Sequence, residues 1–324
     1  MSTLYINEIR GNVIEAKHKV SAVVMCGGKV EQCIGDSELI VPMRSTAKPL
    51  MLTPLISSCE ENNIPLTNAQ ISIMASSHNG EALHRETVLS IMSLSDSKVS
   101  DLKCGIHLPY FNWLYKEFFS ENNMFYQQLY HNCSGKHAGM LLFAQLCGYS
   151  KLNYFDIKHP VQQSIITSLK EVVEISSKDP FSIVLDGCGV PTYCVSIKKL
   201  ASAYRTIYKE SAFKRVMEAI ISEPYFIAGK DRIETDIIKN YGYIAKSGSS
   251  GLFCLACPKF DISIALKVED GNDDAAESAI VEIMSDLGII CKEYPYHLDK
   301  FRNLEIFTST QQIAGKMHPC WINE

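Results

Sequence analysis

The sequence shows no visible secretory signal and no apolar run long enough to cross a membrane. Its first residues, MSTLYINE, show no basic segment followed by an apolar one. The longest strongly apolar run, residues 138–149, is too short to span a bilayer. Twelve cysteines are scattered without a regular framework, which in a chain without a signal predicts reduced thiols. We therefore expect a cytoplasmic protein with no membrane partner.

The sequence also lacks an excess of charge. Its 324 residues carry a net charge of -5, so electrostatics gives no reason to expect a nucleic-acid partner. A small-molecule substrate is the better prediction. With 46% apolar and 21% charged residues, the chain can bury a large core. No repeat, low-complexity tract or linker is visible, which predicts one intertwined domain over residues 1–324.

The hydrophobic pattern predicts strands near both ends of the chain and helices between them. Residues 20–33 are typical of a hairpin that turns at Gly27 and Gly28. Residues 71–75 are expected to be extended and buried, and Asn79 is expected to cap the helix after them. The last third predicts three successive strands and then a helix, at residues 242–246, 251–256, 261–268 and 274–287.

The segment RSTAKP, residues 44–49, places Ser45 and Lys48 three residues apart. Since proline is tolerated only in the first turn of a helix, Pro49 predicts a helix that begins close to Ser45. Residues three apart share one helix face, so the Lys48 amine could take the proton of the Ser45 hydroxyl. Burial, the helix N-terminus and the nearby Arg44 would favour the neutral amine that this requires. The structural alternative is that Ser45 caps a helix and Lys48 is solvated.

A second segment, residues 132–139, opens a helix that is apolar nearly all round and therefore buried. Lys136 and His137 lie at its N-terminus, where cations are electrostatically unfavourable. Structure alone does not readily explain them.

The order of elements resembles that of serine β-lactamases, penicillin-binding proteins and serine-type glutaminases. In that group the first and last strands share one antiparallel sheet, with the helix of the nucleophile packed on it. Residues 246–248, KSG, are similar to the Lys-Thr-Gly strand motif of those enzymes. The resemblance implies an α+β fold with a central antiparallel sheet and helices packed on it.

Five segments together resemble the asparaginase II family, the Rhizobium etli-type L-asparaginases. They are RSTAK at 44–48, SHNGE at 77–81, CSGKHAG at 133–139, DGCGVP at 186–191 and ALKVEDG at 265–271. The likeness extends from about residue 13 to the C-terminal helix. It implies an L-asparaginase that forms a homodimer.

The family's functional positions fall on ten residues of this sequence. The catalytic positions are Ser45, Lys48, Ser77 and Lys267; the substrate-binding or metal-surrounding positions are Arg44, His137 and Asp186; the zinc positions are Cys133, Lys136 and Cys188. Thiolates are good zinc ligands, whereas a lysine must first lose its proton. The alternative for the two cysteines is a purely structural, buried role.

The implied reaction hydrolyses the side-chain amide of asparagine through an acyl-enzyme. Lys48 would activate Ser45, while Ser77 and Lys267 would relay protons. Arg44 would hold the substrate carboxylate and Asp186 its α-ammonium group, unless Arg44 is a surface residue and Asp186 only shapes its turn.

Three alternative functions stay open. A glutaminase fits, because one methylene changes binding by only about 1–3 kcal/mol. The other two are a Ser-Lys hydrolase of another amide, such as a β-lactam, and a sensor that binds zinc and an amino acid without catalysis. The Cys254 and Cys257 pair is expected to lie in the core.

Overall fold

The computed structural model describes residues 2–176, 181–290 and 296–323. The chain divides into two compact units built from interleaved segments. Unit 1 comprises residues 1–46, 195–205 and 236–324, and unit 2 comprises residues 47–194 and 206–235. The single catalytic domain over residues 1–324 stays a prediction. Among the described residues, no helix is both long enough and apolar enough to cross a membrane.

The described ranges contain strands at both ends and helices in the middle. The strands are β1 (Ser2–Arg10), β2 (Val13–Cys26), β3 (Lys29–Ile34), β4 (Ile40–Pro42), β5 (Ser182–Leu185), β6 (Pro191–Ser196), β7 (Ile244–Gly248), β8 (Leu252–Cys257), β9 (Ile262–Val268), β10 (Glu305–Phe307) and β11 (Ile313–Asn323). The helices are α1 (Thr53–Glu61), α2 (Asn68–Met74), α3 (Ala82–Leu94), α4 (Tyr115–Ser120), α5 (Met124–Gln127), α6 (Ser134–Leu146), α7 (Pro160–Val172), α8 (Ile197–Lys209), α9 (Lys214–Ser222), α10 (Ile233–Tyr241), α11 (Asp273–Asp286) and α12 (Tyr296–Arg302).

Unit 1 is built on one antiparallel sheet. Its strand order is β10-β11-β1-β2-β9-β8-β7, and β3 also pairs with β2. Strand β1 pairs antiparallel with β11, which joins the two ends of the chain in one sheet. Helix α11 packs on this sheet through contacts with β1, β8, β9 and β11. The predicted α+β class with a central antiparallel sheet is therefore confirmed, as are the hairpin at Gly27 and the three late strands.

Unit 2 is mainly helical, and α6 lies at its centre in contact with α1, α2 and α3. The prediction of an extended segment at residues 71–75 is wrong, because these residues belong to α2 and its C-cap. The Thr67 side chain accepts from the Gln70 N–H while the Gln70 side chain accepts from the Thr67 N–H. This capping box starts a helix that overrides the strand preference of its isoleucines.

Two predicted helix starts also differ from the structure. No α-helix begins at Ser45: Arg44–Ala47 and Pro49–Met51 are short 3-10 turns, and α1 starts only at Thr53. Asn79 does not cap the next helix, because Glu81 occupies the N-cap position of α3. Asn79 instead uses its side-chain amide to donate to Lys230 O and Glu81 Oε1.

Candidate active site

Lys48 is buried among neutral oxygen atoms. Its side chain is 1% exposed, and its Nζ donates to the Ser77 hydroxyl at 3.1 Å. The same amine donates to the backbone carbonyl oxygens of Ser76 and, at 3.5 Å, Asn132. An amine in hydrogen-bond reach of a serine hydroxyl is the arrangement that a lysine base requires. The structure thus brings two of the four predicted catalytic residues together within unit 2.

The segment that carries Ser77 is fixed by its backbone. The Ser77 N–H donates to Ile227 O at 2.9 Å, and the Asn79 N–H donates to Ala228 O at 2.8 Å. Gly80 has a φ of +82°, and a Cβ there would lie 2.8 Å from Tyr130 O. Glycine is needed because it tolerates both the positive φ and the close approach of another backbone.

A buried histidine–serine pair lies next to this segment but is arranged as a structural bridge. His78 Nδ1 accepts from the Gly80 N–H at 3.0 Å, so the ring proton is assigned to Nε2. Nε2 then donates to Ser134 Oγ at 2.9 Å, and that hydroxyl donates to Leu129 O at 3.1 Å. Burial also lowers the pKa of His78 well below its usual value. Because the lone pair of Nδ1 already accepts the hydrogen bond from Gly80, His78 does not act as a base toward Ser134.

The predicted zinc residues lie together in unit 2. The ligand atoms of Cys133, Asp186 and Cys188 all lie within 4.8 Å of one another. Lys136 Nζ is 3.0 Å from Cys188 Sγ and 3.6 Å from Asp186 Oδ2. We call Cys133, Lys136, Asp186 and Cys188 the Lys136 cluster. All four residues are buried.

Local structure explains how distant residues reach this cluster. Cys133 is the N-cap of α6 and Lys136 lies in the first turn of that helix. Asp186 and Cys188 lie in the turn between β5 and β6, which the Asp186 N–H closes by donating to Val190 O at 2.9 Å. Gly189 has a φ of +84° in this turn. A conformation of that kind favours glycine.

The Lys136 cluster balances buried charges of opposite sign. The hydrogen bond from Cys188, with help from the nearby lysine charges, lowers the pKa of Cys133 well below its usual value. The same hydrogen bond raises the pKa of Cys188, so one thiolate is shared between two sulfur atoms. Burial opposes the ammonium of Lys136, but the charges of Cys188, Cys133 and Asp186 outweigh it and raise its pKa. Without a metal, the cluster is an ion pair of ammonium, thiolate and carboxylate.

The donor set of the cluster fits zinc. Two thiols and a carboxylate are ligands that zinc prefers, and their ligand atoms lie within 4.8 Å of one another. The fourth donor is the amine of Lys136. Lys136 must release its proton before its nitrogen can coordinate a metal. Asp186, which the sequence interpretation placed near the substrate ammonium or the metal's surroundings, lies with its Oδ2 3.3 Å from Cys188 Sγ.

His137 presents a hydrogen-bond donor that nothing in the described ranges accepts. The Tyr154 hydroxyl accepts from the Lys103 N–H at 2.9 Å and lies 2.6 Å from His137 Nδ1. We assign the hydroxyl as donor to Nδ1, which leaves the ring proton on Nε2. Nε2 is buried without a hydrogen-bond partner among the described residues. Burial lowers the pKa of His137 well below its usual value, so the ring is neutral.

Arg44, Ser45 and Lys267 lie in unit 1. Arg44 has a φ of +46°, an uncommon backbone conformation for a residue with a side chain, and Ser45 is buried in the same 3-10 turn. Lys267 is half-buried on β9, and burial lowers its pKa although Asp270 opposes this effect.

Two further residues of unit 1 bear on the strand motif of residues 246–248. Lys246 is fully buried on β7 and donates to Ser247 O at 2.9 Å. Cys254 lies opposite Lys246 on β8, and burial raises the pKa of its thiol. A protonated, buried thiol is typical of core packing, as expected for this pair of cysteines.

Sequence reasoning missed His131. Its Nδ1 accepts from the Cys133 N–H at 3.0 Å, and its ring lies 4.0 Å from that of His107. Burial lowers the pKa of His131, which keeps the ring a neutral acceptor. The only signal in the sequence is its position two residues before Cys133, since its contact with His107 spans 24 residues.

Comparison with known proteins gives one family match. A family model described as L-asparaginase II matches residues 6–319. No curated protein matches significantly.

Several solved structures share a distant likeness. Mglu in its native form is 11% identical with a TM-score of 0.40, over 85% of this chain and 63% of that chain. The octameric penicillin-binding protein homologue from Pyrococcus abyssi is 11% identical with a TM-score of 0.40, over 83% of this chain and 73% of that chain. A β-lactamase from Mycobacterium bovis is 12% identical with a TM-score of 0.34, over 84% of this chain and 95% of that chain.

Proposed function

The chain belongs to the L-asparaginase II family and is an amidohydrolase, and we propose that it hydrolyses L-asparagine to L-aspartate and ammonia. The observation that carries this proposal is the family match over residues 6–319. The buried Lys48 amine, 3.1 Å from the Ser77 hydroxyl, supports it from the structure. A lysine base must reach the hydroxyl with which it exchanges a proton, and this contact meets that requirement.

In the proposed reaction, Ser45 Oγ attacks the amide carbon of the substrate side chain. Lys48 takes the hydroxyl proton and returns it to the leaving ammonia, so that an acyl-enzyme forms. Water then attacks the ester, and the same proton transfers release aspartate and free Ser45. Ser77 and Lys267 are proposed to relay protons, Ser77 through its hydrogen bond to Lys48.

Three residues are proposed to recognise the amino-acid part of the substrate. Arg44 offers a bidentate partner for the α-carboxylate, and Asp186 offers a counter-charge for the α-ammonium group. The Nε2–H of His137 supplies an uncommitted, neutral donor for a substrate oxygen.

We also propose that Cys133, Lys136 and Cys188 hold zinc, with Asp186 within reach of the same ion. Zinc supplies a positive centre that can orient or polarise a bound carboxylate or carbonyl group. To bind the metal, Lys136 would have to release its proton, and the two cysteines would supply the thiolate that they share. Zinc content per chain, measured before and after dialysis against a chelator, tests this proposal with Cys188→Ser as the variant expected to lose the metal.

The proposed reaction is tested by ammonia release from L-asparagine and L-glutamine. The Ser45→Ala variant is expected to lose turnover, while Ser263→Ala, which removes a buried hydroxyl of β9 outside the predicted site, keeps it. Faster release from glutamine would identify a glutaminase. Binding of asparagine without ammonia release by the parent would contradict the hydrolase proposal and favour a sensor.

A homodimer in the cytoplasm is the proposed working form. Light scattering coupled to size-exclusion chromatography tests this state, and a mass of one chain would contradict it.

A further inference from the structure

Arg232 is a buried arginine that no motif of the sequence pointed to. Only 6% of the residue is exposed, and its guanidinium faces the segment that carries Ser77. One nitrogen donates to Ser77 O at 3.4 Å and to Asn79 Oδ1 at 3.2 Å. A second nitrogen donates to Glu234 Oε1 at 3.3 Å, and the Glu234 side chain is completely buried. The guanidinium carbon also lies 4.3 Å from the ring centre of Tyr110.

The backbone just before Arg232 is tied to the same segment. Ile227 O and Ala228 O accept the N–H groups of Ser77 and Asn79. Gly229 has a φ of +119°, and a Cβ there would lie 2.5 Å from Asn79 Nδ2. Residues 227–232 therefore pack directly against the Ser77 segment, and Arg232 adds two hydrogen bonds to that contact.

Stability alone gives a poor account of this arrangement. Burying an ion pair such as Arg232–Glu234 costs desolvation energy, and an apolar pair of similar volume is often as stable or more stable. A guanidinium adds direction instead, because its donors are fixed in a planar fork. Here the fork sets the position of the Ser77 carbonyl group, in the residue whose hydroxyl lies 3.1 Å from Lys48 Nζ.

We propose that Arg232 is a positioning residue that holds the Ser77 segment so that the Ser77 hydroxyl stays in register with the Lys48 amine. The inference rests on the proposed function, since it assigns Arg232 a role in the proton relay of that same site. Arg232 acts through Ser77, to whose backbone oxygen it donates. Errors of about 1 Å in such a register lower rates by about a hundredfold.

The test removes both members of the ion pair, because removing one would leave a buried charge without its partner. The double variant Arg232→Met with Glu234→Met is expected to lower kcat about 10- to 100-fold while KM changes less than about threefold. Arg232→Lys keeps the charge but loses the fork, so its kcat should lie between those of the parent and the double variant.

A matched control exists in the same unit. Arg215 donates to Leu66 O at 2.9 Å and to Asn68 Oδ1, which repeats the pattern of one backbone carbonyl and one asparagine oxygen. Arg215→Met should therefore leave kcat within about twofold of the parent, since its partners carry no proposed role.

Hydrogen–deuterium exchange of residues 76–81 separates positioning from general loosening. Faster exchange there in the double variant, together with the fall in kcat, supports the inference. A kcat equal to that of Arg215→Met would overturn it, and so would a fall in kcat with unchanged exchange at residues 76–81. If the parent releases no ammonia from either amide, the proposed function itself fails and this inference fails with it.

Discussion

Lys48 and Lys136 are two buried lysines of one unit with opposite surroundings. Lys48 Nζ contacts the Ser77 hydroxyl and the backbone oxygens of Ser76 and Asn132, all of them neutral. Lys136 Nζ faces the sulfur of Cys188 and the carboxylate of Asp186. Both side chains are less than 10% exposed, so burial does not distinguish them.

The difference matches the two different roles proposed for these lysines. The anions of the Lys136 cluster hold its amine charged, as the raised pKa of Lys136 indicates. An amine of that kind is a counter-ion to the thiolate and the carboxylate, and in the proposed zinc site it would have to release its proton. Lys48 Nζ instead lies 3.1 Å from a serine hydroxyl, the contact that a proton exchange between the two groups requires.

The strongest test of this comparison is Lys48→Met. Loss of a general base typically costs 10²–10⁴-fold, so we expect a fall in kcat of that order. Since the Lys48 amine donates its hydrogen bonds to neutral oxygen atoms, the free energy of unfolding should change by less than about 2 kcal/mol. Steady-state ammonia release and urea unfolding of the same preparation measure the two effects. Retained turnover would remove Lys48 from the mechanism.

The corresponding change in the cluster, Lys136→Met, should lower the free energy of unfolding. It leaves the Asp186 carboxylate and the shared thiolate of Cys133 buried without their cation, which typically costs about 3–5 kcal/mol of stability. Urea unfolding of zinc-free parent and variant at pH 7 measures this loss. An unchanged unfolding midpoint would mean that the cluster contains no net buried negative charge in the zinc-free protein.

Two buried groups of unit 2, His84 and Lys136, should respond to opposite extremes of pH. Burial lowers the pKa of His84 from 6.5 to about 4. Between these values the unfolded chain binds more protons, so stability is present above pH 6.5 and is lost as the pH falls toward 4. His84 alone accounts for about 2 kcal/mol between pH 7 and pH 5.

The raised pKa of Lys136 works the other way. Its contribution is present below the usual lysine value of 10.5 and is lost only as the pH rises through the higher folded value. Urea unfolding across the pH range measures the loss of stability at acid pH and the loss at alkaline pH. His84→Asn should reduce the loss of stability at acid pH by about 2 kcal/mol without abolishing it, because burial also lowers the pKa values of His78, His131 and His137. The loss at alkaline pH should stay unchanged, and an acid loss as large as that of the parent would contradict the assignment to His84.

Local patterns predicted the strands of unit 1 well. The alternation of apolar and polar residues at 261–268 reappears as β9, Ile262–Val268, because alternation depends only on the chain's own neighbours. The pairing of β1 with β11 has no such local signal, and the sequence implied it only through resemblance to known enzymes.

The misses have physical causes. The T-x-x-Q pattern at residues 67–70 could have identified α2, but the isoleucines that follow favoured a strand. The 3-10 turns around Ser45 were missed because Pro49 fits the first turn of either helix type. Arg232 left no trace, because its partners Ser77 and Asn79 lie 155 and 153 residues away in the chain.

The smallest predicted effect concerns Asp186, a member of the Lys136 cluster that is also proposed to bind the substrate ammonium group. Asp186→Asn removes the charge but keeps an oxygen for the Gly187 N–H, which Oδ1 accepts at 2.9 Å, so the turn should persist. If Asp186 holds the substrate ammonium, KM for L-asparagine rises about tenfold, or about 1.4 kcal/mol, with kcat unchanged. An inhibitor that lacks the ammonium group, such as succinamate, should then bind parent and variant equally. Asp156→Asn, whose carboxylate likewise accepts a backbone N–H, is the matched control. An unchanged KM together with lower zinc content would instead identify Asp186 as a metal ligand and not as a contact of the substrate ammonium group.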